Sequence, residues 1–206
     1  MATADLYLDT INFMKYLPEG CRKDCGYPSC REFFDTLQKD NLLIRTCPFI
    51  TTNQEYAFRA VSLIKELWPQ VPLIMYPRPG PAGLVELNQP DEQSIVLVSG
   101  NNIFTQEVLL TVLGTTRCPF YVLFIDTDGN TIDMAMIYRT LTAERISNGL
   151  HLSGIQEKTA AKQMVIPGLA APLREDIRMA TGWDVRIGPE CAAELPLYFS
   201  EIWIPP

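Results

Sequence analysis

The feature that most constrains this fold is an alternation of short apolar runs with amphipathic segments from about residue 92 onward. The apolar runs have the length and the β-branched content of strands that are buried on both faces. They read SIVLVSG (94–100), PFYVLFIDTDG (119–129), KQMVIPG (162–168) and WDVRIGP (183–189). Strand and helix repeated in this order predict an α/β fold with a Rossmann-like, mostly parallel, doubly wound sheet.

Each predicted strand is followed by a polar or glycine-containing turn: SGNN, DTDGN, IPGL and IGPE. The carboxyl ends of parallel strands lie along one edge of the sheet, and ligands of such folds bind there, at a topological switch point. The turns therefore predict a binding site at that edge. A lone Asp-x-Asp, Asp126 and Asp128, is weak evidence for magnesium, and we expect Asn130 or Asp128 to cap the next helix instead.

The N-terminal part has a different organisation. Residues 6–17 and 31–42 carry apolar side chains at helical spacing, and residues 51–67 predict a third helix with a threonine N-cap. Residues 68–84 contain five prolines and two glycines, a density that argues against a regular helix or a central strand. The predicted organisation is a small helical cysteine-rich domain at 1–67, a proline-rich linker at 68–91 and the Rossmann-like domain at 92–206.

Charge and hydropathy exclude some classes of protein. A formal net charge of −7 argues against a nucleic-acid surface, which needs a concentrated basic patch. No apolar run is long enough to span a membrane, and the N-terminus lacks the basic and apolar regions of a signal peptide. These features predict a cytoplasmic protein, in which thiols stay reduced and clustered cysteines are better interpreted as metal ligands than as disulfides.

Four of the six cysteines lie close together near the N-terminus, in the spacing C-x3-C-x4-C-x16-C-P. Four thiolates suit tetrahedral zinc or a [4Fe–4S] cluster. Three ligands grouped in one loop, with a fourth beyond a helix, favour the cluster over a zinc ribbon, and Gly26 and Pro28 fit a tight turn there. The predicted ligands are Cys21, Cys25, Cys30 and Cys47. Cys118 and Cys191, in apolar surroundings, are expected to be buried structural thiols.

These motifs carry a family resemblance. The C-G-x-P-x-C of residues 25–30 and the C-P of residues 47–48 resemble the cluster domain of the corrinoid iron–sulfur protein large subunit, which is the gamma subunit of archaeal acetyl-CoA decarbonylase/synthase. One extra residue separates Cys21 from Cys25 relative to the family pattern. SGNNIFT, DTDGNTIDMA, IPGLAAPLRED and GWDVRIGPECAAELP resemble the corrinoid-binding domain of the same subunit, although Pro172 stands near a position where the family has a glycine. Residues 51–91 stand where the family has a TIM barrel.

The resemblance implies a [4Fe–4S] cluster and a base-off, cobalamin-type corrinoid that has no protein side chain on cobalt. His151, the one histidine, lies outside any Asp-x-His motif and is expected to be a surface residue. The implied corrinoid contacts are the strand-end turns, whose glycine amides and Asn or Thr side chains can meet the corrin amides. They are Gly100, Asn101, Asn102, Thr105, Thr127, Asp128, Gly129, Pro167, Gly168, Leu169, Ala170, Gly188 and Pro189.

Three functions remain open at this point. The first is a small corrinoid iron–sulfur protein, a carrier of a methyl group or of electrons for a partner methyltransferase, in which no side chain is catalytic. The second is an iron–sulfur adaptor that has lost its corrinoid and docks on another corrinoid protein. The third is a structural zinc protein. The first is favoured; its partners would be a methyltransferase or a corrinoid protein, in a homo- or hetero-oligomer, with neither nucleic acid nor membrane.

Overall fold

A computed structural model describes residues 11–17, 26–29, 32, 50–72 and 76–206. Over these residues the chain forms a five-stranded sheet with helices packed on both of its faces. The strands are β1 Gly83–Leu87, β2 Ile95–Gly100, β3 Phe120–Ile125, β4 Gln163–Ile166 and β5 Asp184–Ile187. Their order is β1-β3-β2-β4-β5, and only β1 is antiparallel to its neighbour. The prediction of a mostly parallel α/β sheet is confirmed.

The helices follow in chain order. They are α1 Thr52–Leu67, α2 Ile103–Leu113, α3 Ile132–Ile137, α4 Ala143–Leu152, α5 Ile155–Lys158, α6 Arg174–Thr181 and α7 Leu195–Tyr198, with 3-10 turns at Phe13–Tyr16, Gly168–Leu173 and Ala192–Glu194. The predicted threonine N-cap is confirmed, because Thr51 and Gln54 form a reciprocal capping box at the start of α1. In the described part of the chain, no helix combines the length and the apolarity that a bilayer crossing requires.

Side chains of the central strands alternate between two cores, as the two-residue period of a strand requires. Leu97 and Val122 face the first core, which α1, α2 and the C-terminal segment cover, with Trp203 fully buried in it. Val96 and Leu123 face the second core, which α3 to α6 cover. Burial on both faces explains why these strands are continuous apolar runs in the sequence.

Strand β1 was not predicted, because it lies within the proline-rich segment 68–91. It pairs with β3 at the edge of the sheet, with Val85 opposite Val122. An edge position tolerates the prolines that precede the strand, because one side of an edge strand needs no ladder partner. The segment expected to be a linker or an extended strap therefore supplies one strand of the sheet. Helix α1, from the residues assigned to the small N-terminal domain, packs in the first core.

Candidate functional site: a cavity at the carboxyl edge of the sheet

The connections between strands reverse direction at β2. From β2 the chain passes through α2, on one face of the sheet, to β3 on one side. From β3 it returns through α3 to α5, on the opposite face, to β4 on the other side of β2. The carboxyl ends of β2 and β4 therefore form the topological switch point, where the two sets of connections diverge and leave a crevice.

A cavity of about 480 Å³ lies at this switch point. Its volume is in the range of small-molecule sites, and its walls are mainly apolar. The ends of β2 and β4, the turn after β5 and the first turns of α2 and α3 all contribute to it. The apolar part of the lining consists of Trp68, Val71, Pro72, Leu97, Val98, Phe104, Val108, Leu109, Ile132, Met134, Val165, Ile166, Pro167, Leu169, Pro189, Ala192 and Leu195.

The structure brings part of the predicted corrinoid-contact set to this cavity. Six of the thirteen predicted residues line it: Asn102, Thr105, Pro167, Leu169, Gly188 and Pro189. The other seven, which are not among the lining residues, are Gly100, Asn101, Thr127, Asp128, Gly129, Gly168 and Ala170. The sequence rule about strand ends therefore predicted the edge at which this cavity lies, and the structure separates the turn residues that line the cavity from those that do not.

Asn101 has a structural role beside the cavity. Its Oδ1 accepts hydrogen bonds from the backbone N–H of Thr127 (2.9 Å), from the Thr127 hydroxyl (3.1 Å) and from the N–H of Gly129 (3.1 Å). Its Nδ2 donates to the carbonyl of Gly80 (3.1 Å) and to Asp126 Oδ1 (3.2 Å). The amide thus joins three pieces of backbone: the turn after β2, the turn after β3 and the proline-rich segment.

Asn102, the next residue, is the N-cap of α2. Its Oδ1 accepts from the backbone N–H groups of Phe104 and Thr105, and the N–H of Ile103 donates to the carbonyl of Arg78 at 2.9 Å. Free N–H groups at this helix start would hold the phosphates of a dinucleotide in a Rossmann fold. Here protein groups occupy them, which argues against dinucleotide binding at this position.

We name residues 76–82 the strap. It crosses the turn after β3, where the Arg78 N–H donates to the Gly129 carbonyl at 2.8 Å and Pro79 forms a bridge with Asn102. The N–H of Gly80 donates to the carbonyl of Asn101 at 2.6 Å. Gly129 has a φ of 73° and no room for a Cβ, which would lie 2.7 Å from the backbone carbon of Arg78 and closer still to the Pro79 nitrogen. The strap therefore packs directly against Gly129, at a distance that leaves no room for a side chain.

Residues just upstream of the strap form one wall of the cavity, and the sequence did not indicate them. Trp68, Val71 and Pro72 line it, although they precede β2 by more than twenty residues. They follow α1, which packs against α2 in the first core, and this packing places them beside the cavity. The density of prolines in this segment was the only available signal, and it indicated irregular structure without indicating where the chain runs.

The acidic residues of the turn after β3 form hydrogen bonds or ion pairs with other protein groups. Asp128 pairs with Arg145, with side-chain N–O distances of 3.2 Å. The expectation that Asn130 or Asp128 caps the following helix is wrong: α3 has Thr131 at its N-cap position, with no side-chain capping bond. The Asn130 side chain instead donates to the carbonyl of Thr127, which closes the turn locally.

Two further sequence expectations concern single residues. His151 is exposed in the last turn of α4 and is not among the cavity-lining residues, as expected. Cys118 and Cys191 are both buried free thiols, which confirms the prediction, and burial raises the pKa of each thiol to about 11. Cys191 also lines the cavity, which the sequence did not indicate. Pro172 lies exposed in a 3-10 turn and outside the cavity lining.

The predicted cluster ligands Cys21, Cys25, Cys30 and Cys47 lie outside the described residues. Within the described ranges no group of three or more His, Cys, Asp or Glu side chains could hold a metal ion. Between the second and third cysteines, Gly26 has a φ of 78°, which suits the expected tight turn, and Tyr27 packs against the first core.

A hydrogen bond joins the N-terminal segment to the cavity wall. The hydroxyl of Tyr16 donates to Glu194 Oε1 at 2.7 Å. Burial, together with this carboxylate, raises the pKa of Tyr16 well above its usual value. Glu194 is the last residue of the 3-10 turn Ala192–Glu194. The first residue of this turn, Ala192, lines the cavity, and so does Leu195, which follows the turn. A residue five positions before Cys21 therefore contacts the element that forms this wall.

Known proteins include several that are similar to this chain over more than half of its length. The gamma subunit of the acetyl-CoA decarbonylase/synthase complex of Methanopyrus kandleri is 34% identical over 119 residues, which are 58% of this chain and 26% of the relative. That of Methanothermobacter thermautotrophicus is 28% identical over 162 residues, 74% of this chain and 35% of the relative. The corrinoid/iron-sulfur protein large subunit of Moorella thermoacetica is 30% identical over 179 residues, 82% and 39% respectively.

The chain thus spans about a quarter to two fifths of the length of these relatives. They agree with the resemblance drawn from the sequence motifs. A family model described as the CO dehydrogenase/acetyl-CoA synthase delta subunit matches residues 59–199, which include the whole sheet and the cavity. The chain belongs to the CO dehydrogenase/acetyl-CoA synthase delta subunit family.

Proposed function

We propose that this protein is a small corrinoid iron–sulfur protein, which carries a methyl group on cobalt, delivers electrons to cobalt, or does both, for a partner methyltransferase. The observation that carries the proposal is the apolar cavity at the switch point of the sheet. Membership of a family whose relatives include a corrinoid/iron-sulfur protein supports the same assignment.

The residues present fit a corrinoid without a protein ligand on cobalt. The corrin macrocycle is largely hydrocarbon, and the cavity offers it apolar walls from β2, α2 and β4. The polar groups of the lining, among them Thr105 and Ser99, can bond the peripheral amides of such a ring. None of the residues lining the cavity is a histidine, which agrees with a base-off form.

The iron–sulfur assignment rests on the chemistry of the donor set. Four cysteines in one short segment, three of them within ten residues of sequence, suit the corners of a cubane cluster. We propose Cys21, Cys25, Cys30 and Cys47 as its ligands. The positive φ of Gly26 and the packing of Tyr27 against the first core support a turn of this segment that is anchored to the rest of the chain.

A bound corrinoid supplies a low-potential cobalt nucleophile, while the protein supplies binding, orientation and electrostatics. In this assignment Pro167, Gly188 and Pro189 shape the floor of the site at the ends of β4 and β5. Trp68 and Phe104 would provide aromatic surface against the ring. We assign a catalytic role to none of this protein's side chains.

The partner is part of the proposal. The relatives are subunits of the acetyl-CoA decarbonylase/synthase complex or of a corrinoid/iron-sulfur protein. We propose that this chain works with a methyltransferase or with another corrinoid protein, since a carrier must exchange its methyl group or electrons with a second protein.

The alternative is an iron–sulfur adaptor that binds no corrinoid itself and docks on a corrinoid protein. The observation in its favour is that seven of the thirteen predicted corrinoid contacts are not among the residues lining the cavity. Both functions require the cluster, so only corrinoid uptake separates them.

The test is an anaerobic UV–visible spectrum of the purified full chain, with iron, sulfide, cobalt and zinc analysis, before and after incubation with cobinamide. Stoichiometric cobalt with a base-off spectrum, and iron close to the stoichiometry of one cubane cluster, would support the carrier. Iron without corrinoid uptake would refute the carrier and leave the adaptor. Zinc without iron would exclude both functions. A variant with Leu169→Trp, which places a larger side chain at a lining position of the cavity, should weaken uptake without changing the iron content.

A further inference from the structure

The charged side chains that line the cavity are acidic. Among the described residues, the lining contains two carboxylates, Asp133 and Glu190, and no lysine, arginine or histidine. Both carboxylates are exposed, so they stand at the rim where a ligand would enter. Neither forms an ion pair with another residue in the part of the chain that the structure describes.

The basic residue that the structure places against this wall does not compensate for them. Arg78 lies over the ring of Phe104, with 6.0 Å between the guanidinium carbon and the ring centroid, and Phe104 is a lining residue. Arg78 itself does not line the cavity. Its cation faces an aromatic ring and is exposed to solvent, which weakens its field at the cavity.

The backbone N–H groups at the start of α2, which could attract an anion, already donate hydrogen bonds to protein acceptors. The first N–H groups of α2 are taken by the Asn102 side chain and by the strap, as described above. Asp133 lies in the first turn of α3, so that a full negative charge stands beside the other helix start at the cavity. Anions bind helix starts through free N–H groups, which this cavity does not present at α2.

We infer that this cavity selects its ligand by charge: it favours a ring whose peripheral side chains are neutral amides over one whose side chains carry carboxylates at the rim. Asp133 and Glu190 are the residues that determine this specificity. The inference rests on the proposed function in that the ligand class is a corrinoid. An amide and a carboxylate have the same shape, so the discrimination is electrostatic and not steric.

The size of the effect follows from like charges in partly exposed positions. Two rim carboxylates within about 8 Å of a ligand anion, in a medium between protein and water, weaken its binding by about threefold to tenfold. Because the rim is exposed, salt should reduce the effect within the Debye length. A steric cause would be independent of salt.

The experiment compares two isosteric corrinoids, cobyrinic acid heptaamide and cobyrinic acid, whose seven side chains are amides or carboxylates. Binding to the full chain is measured by anaerobic spectrophotometric titration at low and high salt. The double variant Asp133→Asn/Glu190→Gln removes the rim charges. The control Asp184→Asn/Glu157→Gln removes the same net charge from exposed positions beside the amino ends of β5 and β4, away from the cavity.

We expect the wild type to bind the heptaamide at least about tenfold more tightly than the heptacarboxylate at low salt, since the several carboxylates of the latter add their repulsions. The rim variant should narrow this ratio at least threefold, and the control should leave it unchanged. Equal binding of both corrinoids, or the same narrowing in the control, would overturn the inference.

If neither corrinoid binds, the proposed function fails, and charge selection is then measured with two fluorescent apolar probes. Neutral Nile red should bind the wild type and the rim variant equally, and anionic anilinonaphthalene sulfonate should bind the wild type about threefold to tenfold more weakly than the rim variant. Equal binding of the sulfonate to the wild type and to the rim variant would overturn the inference independently of corrinoid.

Discussion

The substitution Gly129→Ala should displace the strap from the turn after β3. Gly129 has a φ of 73°, which costs an alanine about 1–2 kcal/mol in any surroundings. The added Cβ would also lie 2.6 Å from Pro79 Cδ and 2.7 Å from the backbone carbon of Arg78. Because these neighbours are backbone and ring atoms, they cannot rotate away as a flexible side chain could.

The cost of the clash follows from what the strap would lose. Overpacking at such a contact costs about 1–3 kcal/mol. If the strap moves instead, it loses the hydrogen bonds from Arg78 N–H to Gly129 and from Gly80 N–H to Asn101, each of which contributes about 1 kcal/mol. Either route adds to the conformational term, so we expect Gly129→Ala to lower the free energy of unfolding by about 2–5 kcal/mol.

Gly182→Ala is the matched control, because Gly182 has a φ of 70° and no atom within 4 Å of the position that an added Cβ would take. It should cost only the conformational term of about 1–2 kcal/mol. Urea unfolding, followed by tryptophan fluorescence, measures both variants. Equal losses of unfolding free energy in the two variants would refute the claim that the strap packs against Gly129. Uptake of cobinamide should also weaken in Gly129→Ala and not in Gly182→Ala, since the strap forms a bridge with Asn102, which lines the cavity.

Three further predictions concern buried polar groups. Asn101→Ala should lower the free energy of unfolding by about 2–4 kcal/mol, measured by urea unfolding, because it leaves several donors of the turn without an acceptor. Because the pKa of Tyr16 is raised in the folded protein, its contribution to stability is complete below pH 10 and is lost as the pH rises further. Thermal unfolding at increasing pH measures this loss. The loss should be smaller in Tyr16→Phe, which removes the hydrogen bond to Glu194. The thiols of Cys118 and Cys191 have pKa values of about 11, against an ordinary 9.0. Both should therefore resist iodoacetamide at pH 8 in the folded protein and react with it in urea, as measured by peptide mass spectrometry. Rapid labelling of both in the native state would contradict their burial.

Much of the sheet could be predicted because its signals are local. Strands β2 and β3 are buried on both faces, so their apolar runs are continuous and stand out in the sequence. The start of α1 could be predicted for a similar reason, because the capping box of Thr51 and Gln54 lies within four residues. The edge that carries the cavity followed from the rule that parallel strands end together.

Strand β1 and the strap could not be predicted from local signals. Proline and glycine in residues 68–84 exclude helix, but they leave open whether the segment is a free linker or is bound to the sheet. Its docking depends on the open edge of β3 and on the absence of a side chain at Gly129. These partners are distant in the sequence, so no window that slides along the chain contains both.

The adjacent pair Asn101 and Asn102 separates what the sequence determines from what the tertiary structure decides. The sequence by itself determined that both follow a buried strand at the carboxyl edge of the sheet, since strand position depends on a local apolar pattern. Only the tertiary structure decided that Asn101 joins the two turns and the strap, whereas Asn102 caps α2 and lines the cavity. The physical reason is that a side-chain amide bonds whichever groups packing brings within about 3 Å, and here those groups come from segments some twenty residues away on either side.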